Sequence, residues 1–386
     1  MRILHTSDWH LGRSFHRADL LGDQATFVDH LVAVVEEEAV DLVVVAGDVY
    51  DRALPPVDAV RLADEAIARL AASRARVVVT SGNHDSARRL GFGARVMDAA
   101  GVHVRTDPAQ VGVPVLVPDA DGAVAVYGLP YLDPDAVREP WALPARSHEA
   151  ALGEAMRRVR ADLAGRPGTR SVVLAHAFVA GAQPSESERD ISVGGVQRVP
   201  VPVLDGVDYV AMGHLHASHV LTDRVRYSGS PLAYSFSEAG REKGSWLVDL
   251  AADGAVAATF LPTPVPRPLA RLRGTLAELL ADPSLAEHEA AWVEATLTDP
   301  ERQRGAMERL RRRFPHALVL THEPVGGAAP AAPHRPVAGR SPHDVTLDFV
   351  RHVRGSDASA DEAALLASAC EACTGDADAT REAAAG

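Results

Sequence analysis

Cysteine is almost missing from this chain. Cys370 and Cys373 are the only two in 386 residues, so no disulfide framework holds the fold. Their Cys-x-x-Cys spacing is that of a redox or half-zinc motif. No second Cys/His pair stands nearby, however, and no βαβ pattern surrounds them, so they read as neighbours on one face of a helix. Lysine is scarcer still, for Lys243 is alone among 39 basic residues, a bias of composition shared with the abundance of alanine. No apolar run reaches the length of a membrane span. Nothing after Met1 resembles a signal peptide, since the first residues run directly into a strand. A cytoplasmic protein without membrane contact is therefore expected. An excess of positive charge is also lacking. The formal charge of −13 argues against a generally basic nucleic-acid coat. It does not exclude nucleic acid, because two divalent ions would bring roughly four positive charges to one site.

What is present is ordinary in bulk and unusual in pattern. Apolar content of 47% and charged content of 24% are those of a globular protein, and the length favours two or three domains. The stretch Val43-Val44-Val45-Ala46-Gly47-Asp48 is a continuous apolar run that stops at a glycine and a carboxylate. A run without polar alternation reads as a strand buried on both faces, and ligands of open α/β sheets sit beyond the carboxyl ends of such strands. The same grammar recurs four times. Arg2-Ile3-Leu4 leads to Asp8-Trp9-His10, Val77-Val78-Val79 to Gly82-Asn83-His84-Asp85, Val172 to Ala175 to His176, and Tyr209 to Met212 to Gly213-His214-Leu215-His216.

Five strands delivering Asp, His or Asn at one end predict a metal site with ligands for two ions. Two ions roughly 3.5–4 Å apart need a bridging anion, and Asp48 suits that role. Asp8, His10 and His216 would complete one shell, and Asn83, His176 and His214 the other. A mixed imidazole, carboxylate and amide set leans toward manganese or iron over magnesium or structural zinc. Such a pair clamps phosphoryl oxygens and prepares a nucleophile for in-line attack. His84 points past Asn83, where it would donate to a phosphate oxygen or leaving alkoxide, with Asp85 expected to hold its tautomer.

The remaining chain alternates strands and helices to about Phe260, an α/β or α+β layered pattern. Amphipathic helices are expected over Gln24–Glu38, Val57–Ala72 and Glu149–Leu163. Ala180 to Pro202 reads as a long functional loop. Tyr227–Tyr234 and Ser245–Leu250 read as late strands, with Asp253-Gly254 as a hairpin turn. Proline-dense Pro262 to Pro268 marks a boundary. A small α+β module follows, with a helix over Pro300–Phe314 carrying Arg302, Arg304, Arg309, Arg311, Arg312 and Arg313. That run is either a phosphate-backbone contact or a solvated face. A Gly/Ala/Pro linker precedes two short helices that cannot bury their apolar faces alone.

The set Asp8-x-His10, Gly47-Asp48, Gly82-Asn83-His84-Asp85, His176 and Gly213-His214-x-His216 resembles the calcineurin-like metallophosphoesterase superfamily. Ser7 to Gly12, Ser185 to Asp190 followed by Ser192-Val193-Gly194-Gly195, and Tyr227 to Glu238 resemble its SbcD-type nucleases. This resemblance implies a β-sandwich flanked by helices over residues 1–265 and a DNA-selecting α+β capping domain over 266–325. A flexible linker over 326–340 and a helical partner-binding segment over 341–386 complete the layout. It implies a manganese-dependent 3′→5′ double-strand exonuclease and single-strand or hairpin endonuclease, acting in repair and recombination at the nucleoid. The implied partners are DNA and an SbcC-type coiled-coil ATPase, with a homodimer inside a heterotetramer. Asp51 stands where some members carry a second active-site histidine. A phosphatase or phosphodiesterase acting on a small molecule or a protein stays open, because a dimetal site alone does not choose a substrate.

Overall fold

The computed structural model of the chain describes residues 1–188, 199–325 and 340–383, the last eleven without side chains. Asp190, Ser192 to Gly195, nearly all of the expected linker and the Cys373 side chain lie outside the described residues. Two compact units are present, Met1–Glu323 and Pro324–Gly386.

The first unit is built on two six-stranded sheets. One has the order β12-β11-β1-β2-β3-β4, from β1 (Arg2–Thr6), β2 (Leu42–Ala46), β3 (Arg76–Thr80), β4 (Val102–Arg105), β11 (Gly244–Leu250) and β12 (Val256–Pro262). The other runs β9-β10-β8-β7-β6-β5, from β5 (Val115–Asp119), β6 (Gly122–Gly128), β7 (Arg170–His176), β8 (Tyr209–Gly213), β9 (His219–Val220) and β10 (Val225–Tyr227). Within each sheet four neighbouring strands are parallel, β1 to β4 in the first and β6, β7, β8 and β10 in the second. Their carboxyl ends therefore share one edge of each sheet.

The apolar runs have a period-two division of labour. Ile3, Leu42, Val44 and Val78 face Val124, Val126, Val172, Leu174 and Ala211 across the sheet interface. Their neighbours Leu4, Val43, Val45, Val77 and Val79 turn outward onto α1 (Leu21–Glu37) and α2 (Val57–Ala72), meeting Phe27, Leu31, Leu62 and Leu70. On the far side Val173, Ala175, Val210 and Met212 meet Leu152, Met156 and Val159 of α3 (His148–Ala164). Helix, sheet, sheet and helix make four layers. Both faces of the central strands are covered, which is why those strands carry no polar alternation. Each fully buried Val or Leu contributes about 1.5–3 kcal/mol.

Two expectations are corrected here. The segment Tyr227–Tyr234 is strand only up to Tyr227. Beyond it Gly229 takes φ +79°, where a Cβ would lie 2.8 Å from the His216 carbonyl oxygen, and the Ser230 amide donates to that same carbonyl at 3.1 Å. The chain is thus bent toward the strand-end loops. In the small module, the expected helix over Pro300–Phe314 begins only at Ala306, after Gly305 in the left-handed region.

That module has a parallel sheet of β13 (Leu269–Gly274), β14 (Trp292–Leu297) and β15 (Ala317–His322). One face packs on α4 (Leu276–Ala281) and α5 (Ala306–Arg313) through Leu276, Leu279, Leu310 and Phe314. Leu269, Trp292, Leu318 and Val319 pack against a cluster containing Phe15, Leu232, Tyr234 and Phe236. Arg313 is spent inside the module, on Glu289 at 3.0 Å and the Leu279 and Asp282 carbonyls at 3.0 and 2.7 Å. Arg311 bonds the Ala317 carbonyl at 3.0 Å.

The second unit contains α6 (Pro342–Arg354) and α7 (Ala360–Ala383). Ser341 caps α6 by accepting from the Asp344 amide at 3.1 Å, with proline in the first turn and Gly355 in the left-handed region beyond the last; these are standard start and stop signals. Arg354 pairs with Glu362 at 2.8 Å across the helix junction. The Cys370 sulfur lies 3.7 Å from the Thr346 hydroxyl. Phe349 and Leu365 remain 63% and 72% exposed. No helix among the described residues is long and apolar enough to cross a membrane.

Candidate metal centre

The two sheet edges approach each other backbone to backbone where their strands end. A Cβ on Gly213 would lie 1.9 Å from the Ala46 carbonyl oxygen, and one on Gly82 would lie 2.1 Å from Asp48 Oδ1. Only glycine permits this approach, and it places the strand-end loops in a single pocket. Four residues there hold positive φ without being glycine: Asp8 at 54°, His10 at 45°, Asp48 at 51° and His214 at 103°. Each such conformation costs about 1–3 kcal/mol and persists only where its surroundings impose it. The restraints are on view. The Asp8 amide donates to the Gly47 carbonyl and the His10 amide to the Asp48 carbonyl, both at 3.0 Å. The His214 amide donates to Asp8 Oδ1 at 3.0 Å.

All eight residues expected at the site converge. Ligand atoms of Asp8, His10 and His216, of His10, Asp48 and His84, and of Asp8, Asp48 and His176 form three groups with mutual separations within 4.8 Å. These groups overlap at Asp8, His10 and Asp48. The carboxylate of Asp48, 2% exposed, takes the His84 amide on Oδ1 at 2.8 Å and turns Oδ2 toward His176 Nε2 at 3.4 Å and His10 Nε2 at 3.6 Å. Asn83 Oδ1 lies 2.9 Å from His176 Nε2 and 3.2 Å from His214 Nδ1.

The donor set fits divalent cations. His176 Nδ1 lies 2.9 Å from the Ala46 carbonyl, so it carries the proton there and a neutral ring offers only a lone pair at Nε2. That lone pair faces an amide oxygen and a carboxylate, three acceptors in one place, a conflict that a cation resolves, as would a second ring proton or a turned-over Asn83 amide. Among the described residues, His10 Nδ1 and Asn83 Nδ2 are buried without a hydrogen-bond partner. His10 Nε2 sits 3.0 Å from His216 Nε2.

Burial sets the electrostatics. It pushes Asp8 up to about 6 against the pull of His176 and His216. Asp48 moves the other way: burial raises it, but the His176 imidazole and its hydrogen bond hold it below the usual carboxylate range. Burial lowers His176, and the Asp48 carboxylate outweighs this to leave it at about 9. His10 and His214 are driven well below the ordinary histidine value, chiefly by burial.

Asp85 and Asp51 have other work. Asp85 was expected to hold the His84 tautomer. Its carboxylate instead accepts the Val49, Tyr50 and Gly82 amides at 3.1, 2.9 and 3.0 Å, clasping two strand-end loops together, and burial raises it to about 7. His84 Nδ1 bonds the carbonyl of Asp51 at 2.7 Å. Asp51 thus meets His84 through its backbone, while its side chain stands 3.8 Å from His10 Nδ1.

Sequence reasoning missed a supporting set around the pocket. The Ser7 hydroxyl donates to Asp8 Oδ2 at 2.5 Å. Gln24 Nε2 donates to the His10 carbonyl at 2.8 Å and Tyr234 to the Trp9 carbonyl at 2.6 Å. Ser187, Glu238 and Lys243 stand behind His216. The available signal was their presence in the Ser185 and Tyr227 motifs, with Lys243 alone of its kind.

Known proteins bear on this geometry. Residues 1–218 match the calcineurin-like phosphoesterase family, and residues 265–354 match the type 5 capsule protein repressor C-terminal domain, the SbcD C-terminal family. Among solved structures, TT1561 of Thermus thermophilus is 13% identical with a TM-score of 0.38, over 67% of this chain and 98% of that one. A novel archaeal phosphodiesterase is 13% identical with a TM-score of 0.31, over 68% of this chain and 100% of that one. GAP50, the anchor in the inner membrane complex of Plasmodium, is 12% identical with a TM-score of 0.39, over 68% and 84%. The structural likenesses are too distant to add to the argument. The family match covers more than half of the sequence and contains every strand-end group described above. The chain belongs to the calcineurin-like phosphoesterases and, by the second match behind the first, to their SbcD type.

Proposed function

We propose that this chain is a manganese-dependent DNA nuclease. The observation that carries the chemistry is the overlap of three ligand groups at Asp8, His10 and Asp48, which is what a pair of ions sharing ligands requires. Asp8, His10 and His216 would hold one ion, Asn83, His176 and His214 the other, and Asp48 would bridge them. Two ions so held supply a clamp on phosphoryl oxygens and an acidified water. The protein's own residues do the rest. The strained loops fix the carboxylates before substrate arrives, and the sheet edges keep bulk water from the ligands. His84, anchored at Nδ1 by the Asp51 carbonyl, directs Nε2 to a phosphate oxygen or departing alkoxide and delivers a proton there.

The SbcD-type match behind the phosphoesterase region supports DNA as substrate. With it we propose 3′→5′ double-strand exonuclease and single-strand or hairpin endonuclease action, by a homodimer that joins an SbcC-type ATPase in a heterotetramer. The small sheet of residues 266–325 would act as the capping domain, and its packing against the Leu232 to Phe236 segment supports that role, because Tyr234 also meets His10 and His216 edge to face at 5.4 and 5.7 Å between ring centres. Residues 326–340 would be the linker. The exposed Phe349, Val353 and Leu365 support 341–386 as the segment that docks on the ATPase.

The test is cleavage of linear duplex DNA with free or blocked ends after chelation. Activity is expected to vanish with EDTA, return with manganese, and exceed hydrolysis of free nucleotides. Rapid turnover of nucleotides or phosphoproteins with intact duplex would instead make the chain a phosphoesterase of another substrate class. Deleting residues 341–386 is expected to leave metal binding unchanged and to abolish co-purification with the ATPase; unchanged association in a pull-down would refute the docking role.

A further inference from the structure

Behind His216 runs a buried chain of polar groups. His216 Nδ1 lies 2.6 Å from the Ser187 hydroxyl, and that hydroxyl donates to Glu238 Oε1 at 2.6 Å. The Glu238 carboxylate is ion-paired with the Lys243 ammonium. Lys243 closes the loop, because its Nζ also donates to the backbone carbonyl of His216 at 2.7 Å and to the Ser230 hydroxyl at 3.1 Å. Glu238 further accepts the Tyr234 amide at 3.1 Å. All of these side chains are buried, Lys243 to 3% exposure.

The direction of these bonds is fixed by elementary chemistry. A carboxylate only accepts, so the single Ser187 hydrogen goes to Glu238. The neighbouring Ser185 hydroxyl, 2.7 Å from Ser187, donates to Glu188 at 2.6 Å. The Ser187 oxygen is then an acceptor toward His216, whose proton must sit on Nδ1. That leaves the Nε2 lone pair aimed at the pocket, beside Asp8 and His10. The cation at the far end is lysine in a chain whose other basic residues are arginine. Three tetrahedral donors meet three partners there, a geometry that a planar guanidinium does not reproduce.

We propose that Lys243, acting through Glu238 and Ser187, is a positioning residue that locks His216 in its Nδ1-protonated tautomer and presents Nε2 as a metal ligand. This inference rests on the dimetal reading above. Buried partners of ligating histidines are worth roughly 10–100-fold in metal affinity.

The experiment uses the full chain and two readouts. In metal-free protein, histidine nitrogen-15 spectra are expected to show His216 protonated at Nδ1, and Ser187→Ala to shift it toward a tautomer mixture. Manganese titration by calorimetry is expected to show two ions in the wild type, with one weakened roughly 10–100-fold in Ser187→Ala and the other unchanged. Lys243→Met is expected to weaken the same ion. Because it strands a buried carboxylate and can unfold the protein, Ser187→Ala, which removes only a hydroxyl, decides the matter. Unchanged tautomer and unchanged affinity in Ser187→Ala would overturn the relay while leaving the dimetal reading intact. A wild type that binds no manganese would overturn the dimetal reading first, and the relay with it, before any variant is made.

Discussion

Asp48→Asn is expected to fold normally, lose tight binding of both ions, and cleave phosphodiesters at least on the order of 10³-fold more slowly. The substitution is nearly isosteric, and asparagine tolerates the left-handed backbone that Asp48 adopts at φ 51°. Its Oδ1 can still accept the His84 amide, which lies at 2.8 Å in the native protein. The change falls on Oδ2, which faces His176 and His10 at 3.4 and 3.6 Å. An amide NH₂ there points two donors at the place where cations would sit and removes the one negative charge they would share. Metal-supplied charge stabilisation is worth several kcal/mol, about tenfold in rate for each 1.4 kcal/mol. Calorimetric titration with manganese and steady-state cleavage of a duplex end measure the two effects separately. Wild-type rates in this variant would show that Asp48 is not shared between ions.

His84→Ala should behave differently: both ions stay bound, yet cleavage falls by roughly 10²–10⁴-fold, the usual contribution of a positioned acid or base. His84 is buried next to His10, with ring centres 4.6 Å apart and Nδ1 tied to the Asp51 carbonyl at 2.7 Å. That tie fixes where Nε2 points without involving the Asp8 or His216 side chains. Its ligand atom also falls in one group with His10 and Asp48, so metal counting on the variant is essential. Loss of an ion along with activity would make His84 a ligand, whereas full activity with both ions bound would remove it from the reaction. The contrast with Asp48→Asn is the sharper test, since the two variants are predicted to fail at different steps.

Much of the architecture is written locally. An unbroken run such as Val43 to Ala46 needs apolar neighbours on both sides, so the strands and their double coverage follow from residue type alone. Abrupt stops at Gly47-Asp48, Gly82-Asn83 and Gly213-His214 mark the strand ends, because glycine is needed where backbones nearly touch. The eight residues that converge at the strand ends could therefore be named before any fold was known. The segment after Tyr227 could not be read this way. Its serines and Tyr234 look like strand residues in isolation, and bonds from Ser230 to the His216 carbonyl and to Lys243, 14 and 13 positions away, go with its bend away from the sheet.

Residue pattern by itself determined the layered α/β class, the ends of the strands and the kinds of atom gathered there, because each depends on near neighbours. Tertiary structure alone decided who supports whom. Asp85 clasps loop amides instead of His84, Asp51 serves through its carbonyl, and Ser187 links His216 to a buried ion pair. Those assignments join residues 36, 33 and 29 positions apart, on loops that follow different strands. A hydrogen bond reaches about 3 Å, so no amount of local spacing can specify it until the sheets are packed.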